Sequence, residues 1–68
     1  MQINTTEDLG EFIKELRKKQ GIRQADLAEL AKVSTKFIIG VEKGKKTSQI
    51  GKIINVINAI GIKLNLGK

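Results

Sequence analysis

The stretch from Ile22 to Gly44 constrains the fold most, because its small and apolar residues are spaced for two short helices separated by a tight turn. Leu27, Ala28 and Ala31 recur at the intervals of one narrow helical face, and the two alanines allow a neighbouring helix to approach closely. The segment from Lys32 to Ser34 then interrupts this period. We therefore predict a turn at residues 32–34.

The second short helix is predicted to begin after Ser34, whose hydroxyl can accept a hydrogen bond from the backbone N–H of Lys36 or Phe37. Ile38 and Val41 lie three residues apart and are predicted to pack back onto the first short helix. The pattern is typical of a helix-turn-helix unit over residues 23–43. Its outward side carries Thr35, Lys36, Ile39 and Gly40.

Three further elements complete the predicted fold. A scaffold helix starts at Thr5, a suitable N-cap, presents the stripe Leu9, Phe12, Ile13 and Leu16, and ends at Gly21. A last helix runs from a cap at Thr47 or Ser48 to Gly61, and residues 62–66 alternate like a strand. The predicted fold class is all-α: one four-helix domain over residues 1–68 with a C-terminal strand. The last helix is expected to bury Ile50, Ile53, Ile54, Ile57 and Ile60, with Val56 and Ala59.

Charge is unevenly distributed along the chain, whose formal net charge is +6. Residues 1–32 carry six bases and six acids, whereas residues 33–68 carry seven lysines against Glu42 alone. The excess therefore lies on and after the second helix of the motif, which favours a polyanionic partner. Glu42 is assigned a structural role, holding a base such as Lys45 or Arg23.

The composition argues against several classes of function. The chain has no cysteine and no histidine, so we expect no disulfide, no metal site and no cofactor. Its seven carboxylates are predicted on solvated helix faces, so we expect no catalytic residues and no enzyme activity. No stretch approaches the roughly 20 apolar residues needed to cross a bilayer. We expect no membrane partner and a cytoplasmic, nucleoid-associated location.

The chain resembles the phage-repressor and Cro type of helix-turn-helix protein, the XRE family, over residues 9–60. Within that family, with its compact lambda-repressor-like fold, the chain is most similar to the short HipB-like antitoxins, which also end in a strand after the last helix. The resemblance is carried by Gln24, Leu27-Ala28, Val33-Ser34, Phe37-Ile38, Val41-Glu42 and Gly44-Lys45.

The resemblance implies a role in DNA binding for two sets of residues. Thr35, Lys36, Ile39 and Gly40 would face the bases of the major groove. Phosphate contacts would come from Arg23, Gln24, Ser34, Lys43, Lys45, Lys46 and Thr47. The chain departs from the family pattern at Arg23, where a threonine cap is common, at Lys32, where a turn glycine is common, and at Ile39-Gly40, where polar base readers are common. Specificity is then expected to depend on Lys36, Thr35 and DNA shape.

The predicted function is a repressor that binds a palindromic operator on double-stranded DNA as a homodimer. The resemblance further implies the antitoxin of a type II toxin–antitoxin pair, whose cognate toxin would be a HipA-like kinase. Ile62, Leu64 and Leu66 would pair with their own copy across the dimer, with the last helix as the alternative interface. The alternative function is a protein-interaction module without DNA readout, using an apolar patch of Phe37, Ile38 and Ile39.

Overall fold

The computed structural model of the chain describes residues 2–46 and 49–61. This part contains four α-helices and no strand: α1 (Thr6–Lys19), α2 (Gln24–Ala31), α3 (Thr35–Glu42) and α4 (Ile50–Ala59). None of these helices is long and apolar enough to cross a membrane. The all-α, four-helix prediction is confirmed, whereas the strand predicted at residues 62–66 lies outside the described residues.

The two ends of α1 follow the predicted chemistry. Thr5 is the N-cap, and its hydroxyl accepts the backbone N–H of Asp8 at 3.0 Å. At the other end Gly21 adopts a left-handed backbone with φ of 70°. The N–H of Gly21 then reaches the carbonyl of Lys18, and that of Ile22 reaches Arg17, at 3.0 and 3.2 Å. This pair of bonds satisfies carbonyls that the last helical turn leaves free.

The turn of the helix-turn-helix unit falls at residues 32–34, as predicted. Lys32 has a φ of 59°. Among the described residues it is the one non-glycine residue whose backbone is left-handed. This conformation costs an L-residue about 1–2 kcal/mol. Hydrogen bonds from the N–H of Lys32 to Glu29 and from the N–H of Val33 to Ala28 close α2 with the same geometry that Gly21 gives α1. The turn therefore forms without the usual glycine.

The core lies between α2, α3 and α4, with Ile13 entering from α1. Leu27, Ile38 and Val56 are fully buried at its centre, one from each of the three helices. In the described part of the chain the buried apolar residues are Ile13, Leu27, Ala28, Ala31, Ile38, Val41, Ile53, Val56, Ile57 and Ile60.

Helix α4 differs from its prediction in two respects. Its exposed side carries Ile50 and Ile54, which are 71% and 37% exposed, so the prediction that they are buried was wrong. The helix is short and packs along one side only, and the buried arc is the one centred on Val56. The helix also starts later than predicted: Gln49, and not Thr47 or Ser48, is the N-cap, because the extended backbone that precedes the first turn falls there.

Helix α1 meets the end of α3 at two glycines. A methyl group on Gly10 would lie 2.3 Å from the carbonyl oxygen of Val41 and 2.9 Å from that of Glu42. A methyl group on Gly44 would lie 2.8 Å from Cγ of Glu7. The hydroxyl of Thr6 donates to the carbonyl of Gly44 at 2.7 Å across the same contact. The two backbones can approach this closely only because both positions lack a side chain.

We expect Gly10→Ala to destabilise the protein by about 1–3 kcal/mol, since α1 or the end of α3 must move to admit the methyl group. The matched control is Gly51→Ala in α4, where nothing lies within 4 Å of an added methyl group. That change should stabilise the protein by about 0.5–1 kcal/mol, the ordinary gain for alanine in a helix. Chemical unfolding of the two variants checks both signs; equal effects would show that Gly10 is not a close contact.

Candidate nucleic-acid interface

Helix α3 presents a polar first turn to solvent and buries the opposite side. Ser34 caps the helix as predicted, its hydroxyl accepting the N–H of Phe37 at 3.0 Å. Ile38 and Val41 are 0% and 4% exposed and pack inward, as the spacing indicates. Thr35 and Lys36 are exposed. The first turn of α3 is therefore both capped and accessible to a ligand.

The outer side of α3 is less exposed after this turn. Ile39 and Gly40 are half-buried. The aliphatic part of Lys45 lies over Gly40, since a methyl group on that glycine would be 3.5 Å from the Lys45 Cδ atom. Of the four residues predicted to face bases, the two at the start of the helix are the accessible ones.

A buried ion pair attaches the end of α3 to α1. The Arg17 guanidinium donates from Nε and Nη2 to the two carboxylate oxygens of Glu42, at 2.7 and 3.2 Å. Its Nη1 donates to the carbonyl of Ile22 at 2.9 Å. The side chains of the pair are 10% and 3% exposed. The prediction of a structural role for Glu42 is confirmed, but the base it holds is Arg17.

Sequence reasoning did not single out Arg17, which stands with Lys18 and Lys19 in the last turn of α1, where any cation suits the helix dipole. The signal was present in the spacing, because Gly10, Ile13 and Arg17 lie on the same helical face and are all buried. An arginine at a buried position requires a carboxylate or several carbonyls as partners. Glu42 is the acid that the second half of the chain offers.

Glu42 also binds Gln24, the first residue of α2. The Gln24 amide donates from Nε2 to Oε1 of Glu42 at 3.0 Å. An amide nitrogen carries two hydrogens, so one remains to be donated elsewhere. The ion pair therefore orders the start of α2 as well as the end of α3. The phosphate contact assigned to Gln24 stays a prediction.

Arg23 precedes α2 and pairs with Asp26 on the surface. Its backbone N–H and its Nη2 donate to the Asp26 carboxylate at 2.8 and 3.1 Å, and its own side chain is 82% exposed. A guanidinium has no acceptor, so Arg23 cannot return a capping bond as a threonine would. Among the described contacts, Arg23 bonds to Asp26 and not to Glu42. The predicted pairing of Arg23 with Glu42 was therefore wrong.

The Arg23–Asp26 contact shifts the pKa of both groups. Hydrogen bonds from the Arg23 side chain and then its backbone hold the pKa of Asp26 below its ordinary 3.8, and the same side-chain bond raises the pKa of Arg23. Because the folded-state pKa of Asp26 is depressed, its contribution to stability is present above pH 3.8 and is lost as the pH falls through the folded-state value. The pair is intact at neutral pH.

The lysines after α3 do not share one environment. Lys43, Lys45 and Lys46 are all exposed. Lys43 shares a shallow depression with Glu7, Asp8 and Glu11, acids that the fold brings over from α1. Lys45 and Lys46 lie instead on the side of Thr6, Leu9 and Ile50. The predicted phosphate contact Thr47 lies outside the described residues.

Lys52 is a further cation beside α3 that sequence reasoning did not single out. Its ammonium lies 5.6 Å from the centroid of the Phe37 ring, within the range of a cation–π contact. Phe37 is half-buried against the core. Ile38 is fully buried, so no continuous apolar patch of Phe37, Ile38 and Ile39 exists on this surface.

A capped, solvent-facing helix held against a second helix of equal length across a three-residue turn, with cations around it, defines a helix-turn-helix DNA-binding domain. Comparison with known proteins gives the family. The helix-turn-helix family HTH_3 matches residues 13–66, so the chain belongs to this family, whose members are of the XRE type. It is a helix-turn-helix transcriptional regulator.

One relative and several solved structures support the assignment. The chain is 38% identical over 65 residues to the uncharacterized HTH-type transcriptional regulator y4mF of Sinorhizobium fredii, covering 96% of this chain and 86% of that protein. It is 28% identical to the restriction-modification controller protein C.AhdI from Aeromonas hydrophila, with a TM-score of 0.76 over 85% of this chain and 84% of that one.

Two structures containing HipB share the fold at lower identity. A HipA-HipB-O2-O3 complex and a HipB-O4 20mer complex each give a TM-score of 0.88 at 16% identity, covering 100% of this chain and 96% of the other. At this identity the likeness establishes the fold. The predicted resemblance to the XRE family and to HipB is confirmed.

We expect Ser34→Ala to lower the stability by about 1 kcal/mol, because the first turn of α3 loses its side-chain acceptor. Ser34→Asp should restore most of that loss, since a carboxylate accepts the same N–H and suits the positive end of the helix. Thermal melting of both variants beside the parent protein makes the comparison. A Ser34→Ala variant as stable as the parent would show that the hydrogen bond to Phe37 contributes nothing to folding.

Proposed function

We propose that the protein represses transcription by placing α3 of each subunit of a homodimer in the major groove of a palindromic operator. The observation that carries this proposal is that Thr35 and Lys36 are exposed on the first turn of α3. The helix itself is held in place at both of its ends. Ser34 caps the start of α3, and the Arg17–Glu42 pair holds its end. Side chains at the N-terminal end of a recognition helix are the ones that reach base edges.

Base reading in this proposal rests mainly on Lys36. A lysine ammonium can donate to the O6 and N7 acceptors of guanine, and Thr35 can contact either type of base pair. Ile39 contacts a thymine methyl at most, and Gly40 has no side chain. A site with so few polar readers gains the rest of its discrimination from the shape and deformability of the operator.

Phosphate contacts in this proposal come from residues that flank the two motif helices. Ser34 and Gln24 stand at helix starts, where backbone N–H groups and the helix dipole favour an anion. Lys45 and Lys46 are exposed and lie on the side of Thr6, Leu9 and Ile50. We assign the remaining contacts to Arg23, Lys43 and Thr47.

The dimer is proposed to form through the C-terminal segment. Ile62, Leu64 and Leu66 occupy alternate positions, and an antiparallel pair of identical strands is self-complementary under two-fold symmetry. A dimer also spaces two recognition helices about one DNA turn apart, which a palindromic operator requires. The alternative interface is α4, whose exposed side carries Ile50 and Ile54.

We further propose that the protein is the antitoxin of a toxin–antitoxin pair whose toxin is a HipA-like kinase. The proposed location of the protein is the cytoplasm. The likeness in fold to HipB in a HipA-HipB complex supports this role. Control of a restriction-modification operon is the second candidate, favoured by the likeness to C.AhdI at 28% identity. The product of the neighbouring reading frame separates the two: a kinase that copurifies with this protein supports the first, and a methyltransferase or endonuclease gene supports the second.

The loop lysines should control affinity for DNA of any sequence. Changing Lys45 and Lys46 together to alanine should weaken binding to all duplexes and lower the slope of log affinity against log salt by about one for each lost phosphate contact. The control removes two exposed lysines from α1, Lys14 and Lys18, and should leave the slope closer to that of the parent. A slope unchanged by the loop double variant would reject the two contacts.

Lys36 should control sequence preference. Lys36→Ala is expected to reduce discrimination at one base pair in each half-site by about 1–3 kcal/mol, because one donor to a base edge is lost. Competition between operator and random duplexes measures this, with Lys43→Ala as the variant expected to weaken both equally. If Lys36→Ala also weakens both equally, Lys36 contacts a phosphate and α3 reads bases through other residues.

The dimer should depend on Leu64. Leu64→Lys is expected to weaken self-association, since it would replace an apolar contact with two like charges that face each other across the two-fold axis. Sedimentation equilibrium over a range of concentrations measures this, with Lys63→Ala as the control on the opposite face of the alternating segment. A Leu64→Lys variant as dimeric as the parent protein would place the interface elsewhere, with the exposed side of α4 as the next surface to test.

A further inference from the structure

The apolar stripe of α1 extends beyond the part that the core covers. Leu9 and Leu16 pack against the buried core, whereas Phe12 is half-buried without belonging to the described residues that pack there. Phe12 and Leu16 instead line an open groove of about 480 Å³, flanked by Glu15, Lys18 and Lys19. The aromatic ring and the leucine give this groove an apolar floor on which an apolar segment can dock.

The C-terminal segment begins beside this groove. Gln20, at the end of α1, donates from Nε2 to the carbonyl of Ile60 at 2.8 Å. Gly61 follows with a left-handed φ of 89° and ends α4. Ile60 itself is 2% exposed, so the point from which residues 62–66 depart is fixed against the last turn of α1.

Residues 62–66 are long enough in extended form to follow α1 from Gln20 back to Phe12. From Gln20 back to Phe12 is eight residues of helix, or about 12 Å at the rise of an α-helix. Five residues in extended form span about 13 Å from the first to the last. Alternate residues of a strand lie about 6.6 Å apart, and Phe12 and Leu16 lie about 6 Å apart along their helix. Two apolar positions of the segment can therefore meet the two apolar positions of the groove in one register.

We propose that residues 62–66 dock in extended form in the Phe12–Leu16 groove of their own chain. The segment runs back along α1 and presents Ile62, Leu64 and Leu66 to the groove. Attachment one residue away, at Gly61, gives this segment an effective concentration of millimolar order, which no separate partner matches. The inference rests on the proposed function, in which the same segment is a strand that pairs across the dimer. In the docked segment the apolar side chains cover α1, and the backbone N–H and C=O groups along one edge stay open to the second copy.

Nuclear magnetic resonance of the full-length protein tests this proposal. The chain has two phenylalanines, so the ring signals of Phe12 and Phe37 are readily separated. We expect nuclear Overhauser effects from the Phe12 ring to methyl groups of Leu64 or Leu66, and none from the Phe37 ring. In a mixture of isotope-labelled and unlabelled protein, a filtered spectrum that selects contacts between chains should not contain them.

Three outcomes overturn the proposal: no contact from Phe12 to the segment, the same contact in the filtered spectrum, or contact only after a second protein is added. The second outcome would place the segment on the partner copy, and the third would make the groove a site for another protein. Sedimentation of the same sample separates this inference from the dimer proposal. Contacts within the chain in a monomeric protein would support the docking and reject the dimer.

A double-mutant cycle gives an independent measure in the folded, full-length chain. Phe12→Ala and Leu66→Ala should each lower the melting temperature, and the double variant should lower it by less than the sum of the two shifts, because the second change removes a partner already lost. The pair of Lys14→Ala and Leu66→Ala is the control and should be additive, since Lys14 is exposed and does not line the groove. Additive shifts for Phe12 and Leu66 would contradict the docking.

Discussion

The position of α3, the proposed recognition helix, depends on the buried ion pair between Arg17 and Glu42. Arg17 donates two bonds to the carboxylate and a third to a backbone carbonyl, and Glu42 accepts a further bond from Gln24. Removing two such charges from water costs several kcal/mol for each ion, which only good geometry and further hydrogen bonds offset. Breaking the pair from one side therefore leaves a charge buried without a partner. A fully satisfied polar network of this kind tolerates one arrangement of α1, α2 and α3, so it fixes the orientation of α3, the helix that we propose to enter the major groove.

The close approach of α1 to α3 makes this arrangement possible. Gly10 lets the α1 backbone rest against the carbonyls of Val41 and Glu42, and that distance brings Arg17, two turns further along α1, within reach of the carboxylate. The face of α3 that points away from α1 is then free to vary. Thr35 and Lys36 are exposed, so substitutions there should leave the fold intact, and under the proposed function they would change what the protein recognises. The scaffold and the reading surface are separate sets of residues on one eight-residue helix.

Local patterns predicted the four helices, the turn at residues 32–34 and the cap at Ser34, because apolar spacing and capping chemistry act over a few residues. The contacts that depend on distant partners were not predictable in this way. Arg17 was not singled out and Glu42 was given the wrong partner, since neither position shows in isolation that it is buried. The role of Gly10 depends on a backbone 31 residues away in α3. Ile50 and Ile54 fit the apolar period of α4 but are exposed. The period alone does not show which part of the helix the neighbouring helices cover. The loop lysines looked alike in the sequence until the fold placed acids of α1 around Lys43.

A double-mutant cycle on the ion pair tests this account most directly. The variants Arg17→Met, Glu42→Leu and the two combined would be unfolded by denaturant, with the exposed Lys18→Met as the control. The account predicts that each single change costs about 3–5 kcal/mol, whereas the double variant, which leaves no buried charge, recovers a large part of that loss. Single changes that cost no more than the control, or costs that simply add in the double variant, would contradict the claim that this pair holds the recognition helix in place.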